Sequence, residues 1–452
     1  MSARLRRLLA AGGKVVRSSG YIVLSLGLAA LVLAAFLLLP TSSYRATEQG
    51  PVTLYYADNI SRAHQFIIDR FNAEYEGRIH VVPIDLPFTK FSTNERKELL
   101  ARTMRSKSGR IDVFTVDIIW VPRFARWCQS LDDYFSPADR EAILEHALQS
   151  CYWDGQLVAI PLYTDVGLMY YREDLLRRIP GATALSDSLR RSLTWEQFIA
   201  LKQHCNRLGI ENPFYVFPAD NYEGLVCSVY EGMAGQGCVI SSQDTIDLTR
   251  PPVVRTVRLL TDLVHRYHMA PPEVTKFDEY EGYLYALEHD ALFIRGWPGF
   301  VKHYRNAVRD TSKFSYLRLA ALPHFAGHGR AFVYGGWNFM ISRYSTKTDA
   351  AVTFIKYCLR KENQKLLFVE GGYIPINREI YADSAFLAEH QDLAFYRELL
   401  DLGVHRPYLV DYTKISDVIA YYAHLAIRNE LSAEEALARA TRLINSKQVL
   451  IK

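Results

Sequence analysis

At 452 residues the chain is longer than a single hydrophobic core normally supports, and it suits two units of about 150 to 200 residues each. Its composition, 49% apolar and 23% charged, is that of a globular protein and excludes a disordered or fibrous chain. The formal charge of +4 arises at the N-terminus, because the first 40 residues hold five basic groups and no acid while the remainder carries 48 basic against 49 acidic groups. Such a neutral body argues against nucleic acid as a partner, since phosphate binding needs a basic footprint.

Residues 1–20 form the basic segment. Tyr21 to Leu39 follow as an uncharged apolar run of 19 residues, long enough to cross a bilayer. Basic residues precede the run and only Arg45 follows closely. The positive-inside rule therefore predicts a single-pass transmembrane anchor, a linker over 40–51, and a body in the periplasm or extracellular space. A cleaved signal peptide is the alternative, but its apolar region is usually shorter and ends at a small-x-small site that PTSSYRAT does not show. The six cysteines, Cys128, Cys151, Cys205, Cys227, Cys238 and Cys358, contain no C-x-x-C pair and no zinc-ligand spacing. Export permits disulfides, and spacing leaves both pairing and buried free thiols open. No metal or cofactor is expected.

In the body, Val52–Tyr56 read as a strand with Asp58 at its end. Ser61 is placed to cap a helix bearing Ala63, Phe66, Ile67 and Phe71 at helical spacing. Ile79–Ile84 form a second strand, and Leu99, Leu100 and Met104 mark a second helix. Ile111–Val116 form a third strand ending at Asp117, before a helix that carries Trp120. This alternation predicts an α/β lobe with a mainly parallel sheet, in which ligands meet the loops at the carboxyl ends of strands. Asp at a strand end also caps helices, so Asp58 and Asp117 have two readings.

The stretch GQLVAIPLYTDVGLMYYREDLL, residues 155–176, is where the chain is expected to leave one unit for another. A buried strand meets Pro161, which cannot donate to a ladder, so regular pairing is expected to stop there. Tyr163 and Asp165 follow without apolar periodicity, and a second strand leads into a helix with acidic residues in its first turn. Further on, Thr194 and Gln197 match a capping box. A helix over 220–237 bears Glu231, and another spans Val253–Tyr267. DALFIRGWP reads as a buried strand ending at Trp297, and LAALP (319–323) as a return crossing. Gly335, Gly336 and Trp337 precede another helix, GGYIPINR with Arg378 suggests a third crossing near 375–380, and residues 432–445 form a terminal helix.

Six of these pieces occur in order over residues 52–445: IDVFTVDIIWVPRFA, GQLVAIPLYTDVGLMYYREDLL, LTWEQF, ALFIRGWP, GGWNFMIS and GGYIPINREIY. They resemble the family 1 extracellular solute-binding proteins of ABC importers, the group of maltose- and trehalose-binding proteins. The resemblance implies an α/β, two-lobed periplasmic-binding-protein fold of type II, each lobe a mainly parallel sheet flanked by helices. Lobe I is expected over 52–163 plus 323–377 and lobe II over 164–322 plus 378–452. The resemblance further implies a sugar or oligosaccharide between lobes that close by a hinge, delivery to ABC permease subunits, and no enzymatic activity. A transmembrane run in place of a cleaved or lipid-modified signal departs from the family pattern.

Sugars offer hydroxyls at their edges and C–H groups on their faces, which carboxylates and aromatic rings respectively satisfy. Asp117, Asp165, Glu231 and Asp58 supply the first kind of group, and Trp297, Trp337, Tyr163 and Trp120 the second. Gly335 and Gly336 would let backbone approach the ligand, and Arg378 would pair with a carboxylate or donate to the ligand. Two rivals share these residues. One is the same fold holding a polyamine, a phosphate ester or another small solute. The other is an exported glycosidase, which needs two carboxyls set across one bond, and no motif marks such a pair.

Overall fold

The computed structural model describes residues 50–87, 90–240 and 245–446. The basic segment and the apolar run at 21–39 lie outside them. Among the described residues no helix is long and apolar enough to cross a membrane.

Two sheets organise the body. The first contains β1 (Val52–Asp58), β2 (Ile79–Asp85), β3 (Val113–Asp117), β6 (Ile160–Val166), β11 (Phe332–Ile341) and β12 (Gly403–Val404). A two-stranded ribbon, β4 (Tyr152–Trp153) with β5 (Gln156–Leu157), precedes β6. The second sheet runs β10-β7-β9-β8, from β10 (Leu317–Ala320), β7 (Leu168–Arg172), β9 (Phe293–Gly296) and β8 (Tyr215–Val216). The first sheet is built around β11, all ten of whose residues are buried. It pairs with β6 along one edge and with β3 and β12 along the other. Pro83 is tolerated in β2 because that strand is an edge and has only β1 as a partner.

Local chemistry sets the helix starts. Ser61 caps the helix Arg62–Glu74, with His64 completing the box. Thr194 and Gln197 form the expected box before Trp195–Arg207. Ser432 caps Ala433–Asn445, whose Ala436, Leu437 and Ala440 are buried. All six cysteines are buried and free.

Three expectations need correction. The second sheet is not mainly parallel: β7 runs antiparallel to both β9 and β10, and only β8 pairs parallel to β9. Helical crossovers separate β8 from β9, whereas β7 enters straight from the other sheet through Gly167, so the alternation rule does not reach it. Pairing also does not stop at Pro161. It runs to Val166, because β6 is an edge strand that needs no donor there, and the proline leaves only a register shift opposite Trp337 and Asn338.

The third passage between sheets lies beyond 375–380. The chain stays with the first sheet through β12, although residues 378–452 were assigned to lobe II. It then passes through Arg406 to the helix Tyr412–Ile427, which packs on helices Glu223–Gly235 and Pro251–His265. The other two passages run from β6 to β7 through Gly167 and from β10 to β11 over 321–331.

Candidate functional site

A cavity of about 280 Å³ opens between the two sheets. From the first side it is walled by Asn59 and Ser61 after β1, Asp117 at the end of β3, Tyr163 and Asp165 on β6, and Gly335 to Trp337 on β11. The second side contributes Tyr222, Glu223, Glu279, Tyr283, Trp297, His303 and Tyr304, and Arg406 enters from the third passage. Carboxyl ends of β1, β3 and β9 thus meet at one place, as open α/β sheets arrange their ligand loops.

Trp297 follows directly on β9, and its backbone is clamped on both sides. Its N–H donates to the Tyr283 hydroxyl at 2.9 Å, and its carbonyl accepts from the Tyr170 hydroxyl at 2.8 Å. The indole Nε1 donates to Glu279 Oε1 at 3.2 Å, and the Arg295 guanidinium lies 4.5 Å from the ring centre. Gly335 packs close beside it, since a Cβ there would stand 3.0 Å from the Trp297 ring. Trp337 has a similar backing: Arg96 stands 4.2 Å from its ring centre, and Asp58 holds Arg96 at 3.1 Å. Each tryptophan therefore rests one face on a paired arginine and borders the cavity, Trp337 with only 7% of its surface exposed.

The carboxyl groups differ in their partners. Asp117 Oδ1 accepts from the Ile119 N–H at 3.1 Å and from Arg406 at 3.3 Å, so it caps the turn after β3 while also facing the cavity. Burial pushes its pKa up, against the pull of Arg406. Glu223 accepts from Arg406 at 2.6 Å, from the Tyr412 hydroxyl at 2.9 Å and from the Ser416 hydroxyl, and burial pushes it up as well. The Asp165 carboxyl makes no hydrogen bond or ion pair among the described residues, and burial followed by the charge of Asp117 raises its pKa well above the carboxylate range.

That isolation predicts a stability gain on neutralisation. A carboxyl whose folded pKa is raised binds its proton more tightly when folded, so it costs stability as pH rises above its unfolded value. Asp165→Asn is expected to stabilise the unliganded protein by about 1–2 kcal/mol at pH 7 and by nothing near pH 3, as read by thermal denaturation at both pH values. The titratable groups that interact electrostatically with Asp165 are Asp117 and the phenols of Tyr163, Tyr170, Tyr373 and Tyr396, none of them a cation. A gain that persists unchanged at pH 3 would mean the burial of charge is not its source.

Of the eleven residues singled out from sequence, Trp297, Trp337, Asp117, Tyr163, Asp165, Gly335 and Gly336 line the cavity, whereas Trp120, Glu231, Asp58 and Arg378 do not. Trp120 is turned inward by the short helical turn after β3 and packs edge-on against Trp337, with ring centres 5.5 Å apart. Asp58 is covered by the Tyr56 hydroxyl and Arg96, and acts by fixing the arginine under Trp337. Glu231 pairs with Arg295 at 2.9 Å and so holds the guanidinium against Trp297. Arg378 lines a separate cavity of about 270 Å³ with His146, Tyr381, Arg397 and Asp401.

Sequence reasoning missed Glu279, Tyr283, Glu223 and Arg406 as wall residues. Glu279 and Tyr283 stand four apart on the helix Glu279–Glu288, a spacing that puts them on one face and was a usable signal. Arg406 sits in an irregular connection with no local pattern to betray it.

An aromatic and acidic cavity between two sheets joined by three passages defines a two-lobed solute-binding protein. Residues 67–394 match the bacterial extracellular solute-binding protein family, and the chain belongs to it. Over 366 residues, 80% of this chain and 84% of the other, it is 25% identical to a protein of Deinococcus radiodurans described as a "probable ABC transporter-binding protein". T. maritima MalE3, solved with maltose, superposes with a TM-score of 0.76 at 24% identity, covering 88% of this chain and 100% of that one. An ABC transporter solute-binding protein of Thermotoga lettingae, solved with α-D-tagatose, has a TM-score of 0.76 at 18% identity, over 88% of this chain and 99% of that one. These two likenesses carry the fold. The family is one of extracellular solute-binding proteins rather than enzymes, which disposes of the glycosidase reading and sets the body outside the cytoplasm.

Proposed function

We propose that the protein captures a sugar or oligosaccharide between its two lobes, closes on it by a hinge, and delivers it to the permease subunits of an ABC importer. The observation that carries this reading is the pair of arginine-backed tryptophans flanked by carboxyl groups in one cavity. Trp297 and Trp337 take the apolar sugar faces, and Asp117, Asp165 and Glu279 accept from the hydroxyls. The maltose and tagatose held by proteins of the same fold support a sugar as ligand. Calorimetric titration of the purified protein with a panel of mono- and oligosaccharides tests it, and a protein that binds none of them while binding amines or phosphate esters would overturn it.

Trp297 provides the sharper test. Losing an aromatic face against a ligand costs roughly 1–3 kcal/mol, so Trp297→Ala is expected to weaken binding by about 5- to 150-fold. Its stability cost should stay below the roughly 3–5 kcal/mol of a core aromatic deletion. A variant destabilised by that larger amount, whose folded fraction binds normally, would make Trp297 a structural residue.

Delivery is proposed to occur from the membrane surface, with Tyr21–Leu39 retained as an anchor. Its motivation is the length of the apolar run and the basic residues before it. Intact-mass measurement of membrane-extracted protein should give the full 51.8 kDa chain. Loss of the residues before about 47 would indicate cleavage and ordinary secretion.

A further inference from the structure

The wall of the cavity is unbalanced in charge. Asp117, Asp165, Glu223 and Glu279 line it, against the single guanidinium of Arg406. His303 adds no charge near pH 7, because burial and then the neighbouring His64 push its imidazole down to about 4. Arg406 is committed to Asp117 and Glu223, and the indole N–H of Trp297 serves Glu279. The arginines behind the tryptophans are paired too, Arg96 with Asp58 and Arg295 with Glu231. Asp165 alone among these carboxyls has no partner among the described residues.

A neutral sugar hydroxyl donating to Asp165 satisfies a lone pair but does little to favour the ionised carboxyl, which burial and Asp117 disfavour. A protonated amine satisfies the lone pair and removes the charge imbalance together. Geometry puts the two kinds of recognition side by side. The Trp297 ring and the Asp165 Cβ lie 3.0 and 3.1 Å from the point where a Cβ of Gly335 would stand. Asp165 and the indole therefore flank Gly335 together, close enough for a sugar ring lying on Trp297 to direct one ring substituent at Asp165.

We infer that the solute is an amino sugar, or an oligosaccharide containing one, whose ammonium group is held by Asp165. This deepens the sugar reading and rests on it. Neutral maltosides and N-acetylated sugars would then be the weaker ligands, because they bring no positive charge to the wall.

The full chain should be titrated by calorimetry near pH 6.5 with glucosamine oligomers of two and three units, their fully N-acetylated counterparts, maltose, maltotriose and spermidine. The amino oligomers are expected to bind about 10-fold or more tightly than their N-acetylated and malto counterparts. Asp165→Asn should cost the amino forms about 10-fold more affinity than the neutral forms, with thermal denaturation confirming that the variant is folded. Neutral sugars binding as tightly as the amino forms would overturn this inference and leave the sugar reading standing. Spermidine binding without any saccharide would overturn the sugar reading and the amino sugar with it. An equal loss for all ligands in the Asp165→Asn variant would reduce Asp165 to a hydroxyl acceptor and remove the ammonium contact. A protein that binds no member of the panel would count against both readings.

Discussion

Replacing Arg406 with methionine is expected to cost about 3–5 kcal/mol of stability at pH 7, because it leaves two buried carboxylates without their shared cation. Arg406 is fully buried, with Nη1 on Glu223 at 2.6 Å and Nη2 on Asp117 at 3.3 Å, and it also donates to the Tyr334 carbonyl at 3.3 Å. It thereby joins the end of β3 in the first sheet to the helix Glu223–Gly235, whose Glu231 pairs with Arg295 of β9. Methionine keeps much of the volume, so the loss reports charge rather than a cavity.

The pH dependence distinguishes this cause from mere mispacking. Both carboxyls already sit above their ordinary values because burial outweighs the attraction of Arg406, and removing the cation moves them higher. A group whose folded pKa is raised loses stability as pH climbs from its unfolded value towards the folded one. The deficit of Arg406→Met should therefore be largest at and above pH 7 and shrink towards about pH 3, below the unfolded pKa values of both groups. Urea denaturation at a series of pH values measures it. A deficit independent of pH between 4 and 8 would show that the ion pairs are not what Arg406 contributes.

How far the molecule could be read from its sequence depends on the range of the interaction involved. Contacts within a few residues were legible. The Ser61 and Thr194 caps, the end of β9 before Trp297 and the turn after β3 at Asp117 are all local chemistry, and the structure places them as expected. Seven of the wall residues were found because strand ends and glycine pairs carry their own signals. Strand direction in the second sheet was not legible, since β7, β9 and β10 meet from distant parts of the chain and no βαβ unit links β7 to its neighbours. Trp120 and Trp337 look alike as sequence, and what separates them is a helical turn that rotates one ring inward. Arg406 escaped because an arginine in an irregular connection reads as solvated surface until two remote carboxylates are brought to it. Glu231 and Asp58 were expected to accept from the ligand, but neither lines the cavity, and each instead pairs with an arginine under a tryptophan.

Gly336→Ala is expected to be as damaging as the loss of Arg406, for a reason of backbone rather than charge. Gly336 has φ of +131°, a conformation closed to residues with a side chain. It lies in the buried central strand β11, opposite Thr164 of β6 and one residue before the register shift at Trp337. A Cβ there would sit 2.7 Å from the Tyr163 carbonyl oxygen and 3.0 Å from the Thr164 Cα, which are main-chain atoms held by the β6 pairing. Neither can move aside as a flexible side chain would. The backbone penalty of roughly 1–3 kcal/mol and the overpacking penalty of roughly 1–3 kcal/mol together predict a loss of about 2–6 kcal/mol. Gly335→Ala is the control on the neighbouring residue. There the added carbon meets the Trp297 ring at 3.0 Å and the Asp165 Cβ at 3.1 Å, both side-chain atoms at the cavity, and φ lies outside the left-handed range. Gly335→Ala should therefore keep most of the stability and lose affinity instead, because it displaces the indole that takes the sugar face. Denaturation curves paired with calorimetric titration separate the two outcomes. If Gly336→Ala unfolds with wild-type free energy, the close packing of β6 on β11 is not what requires glycine there. If Gly335→Ala binds normally, the Trp297 ring is not the surface on which the ligand lies.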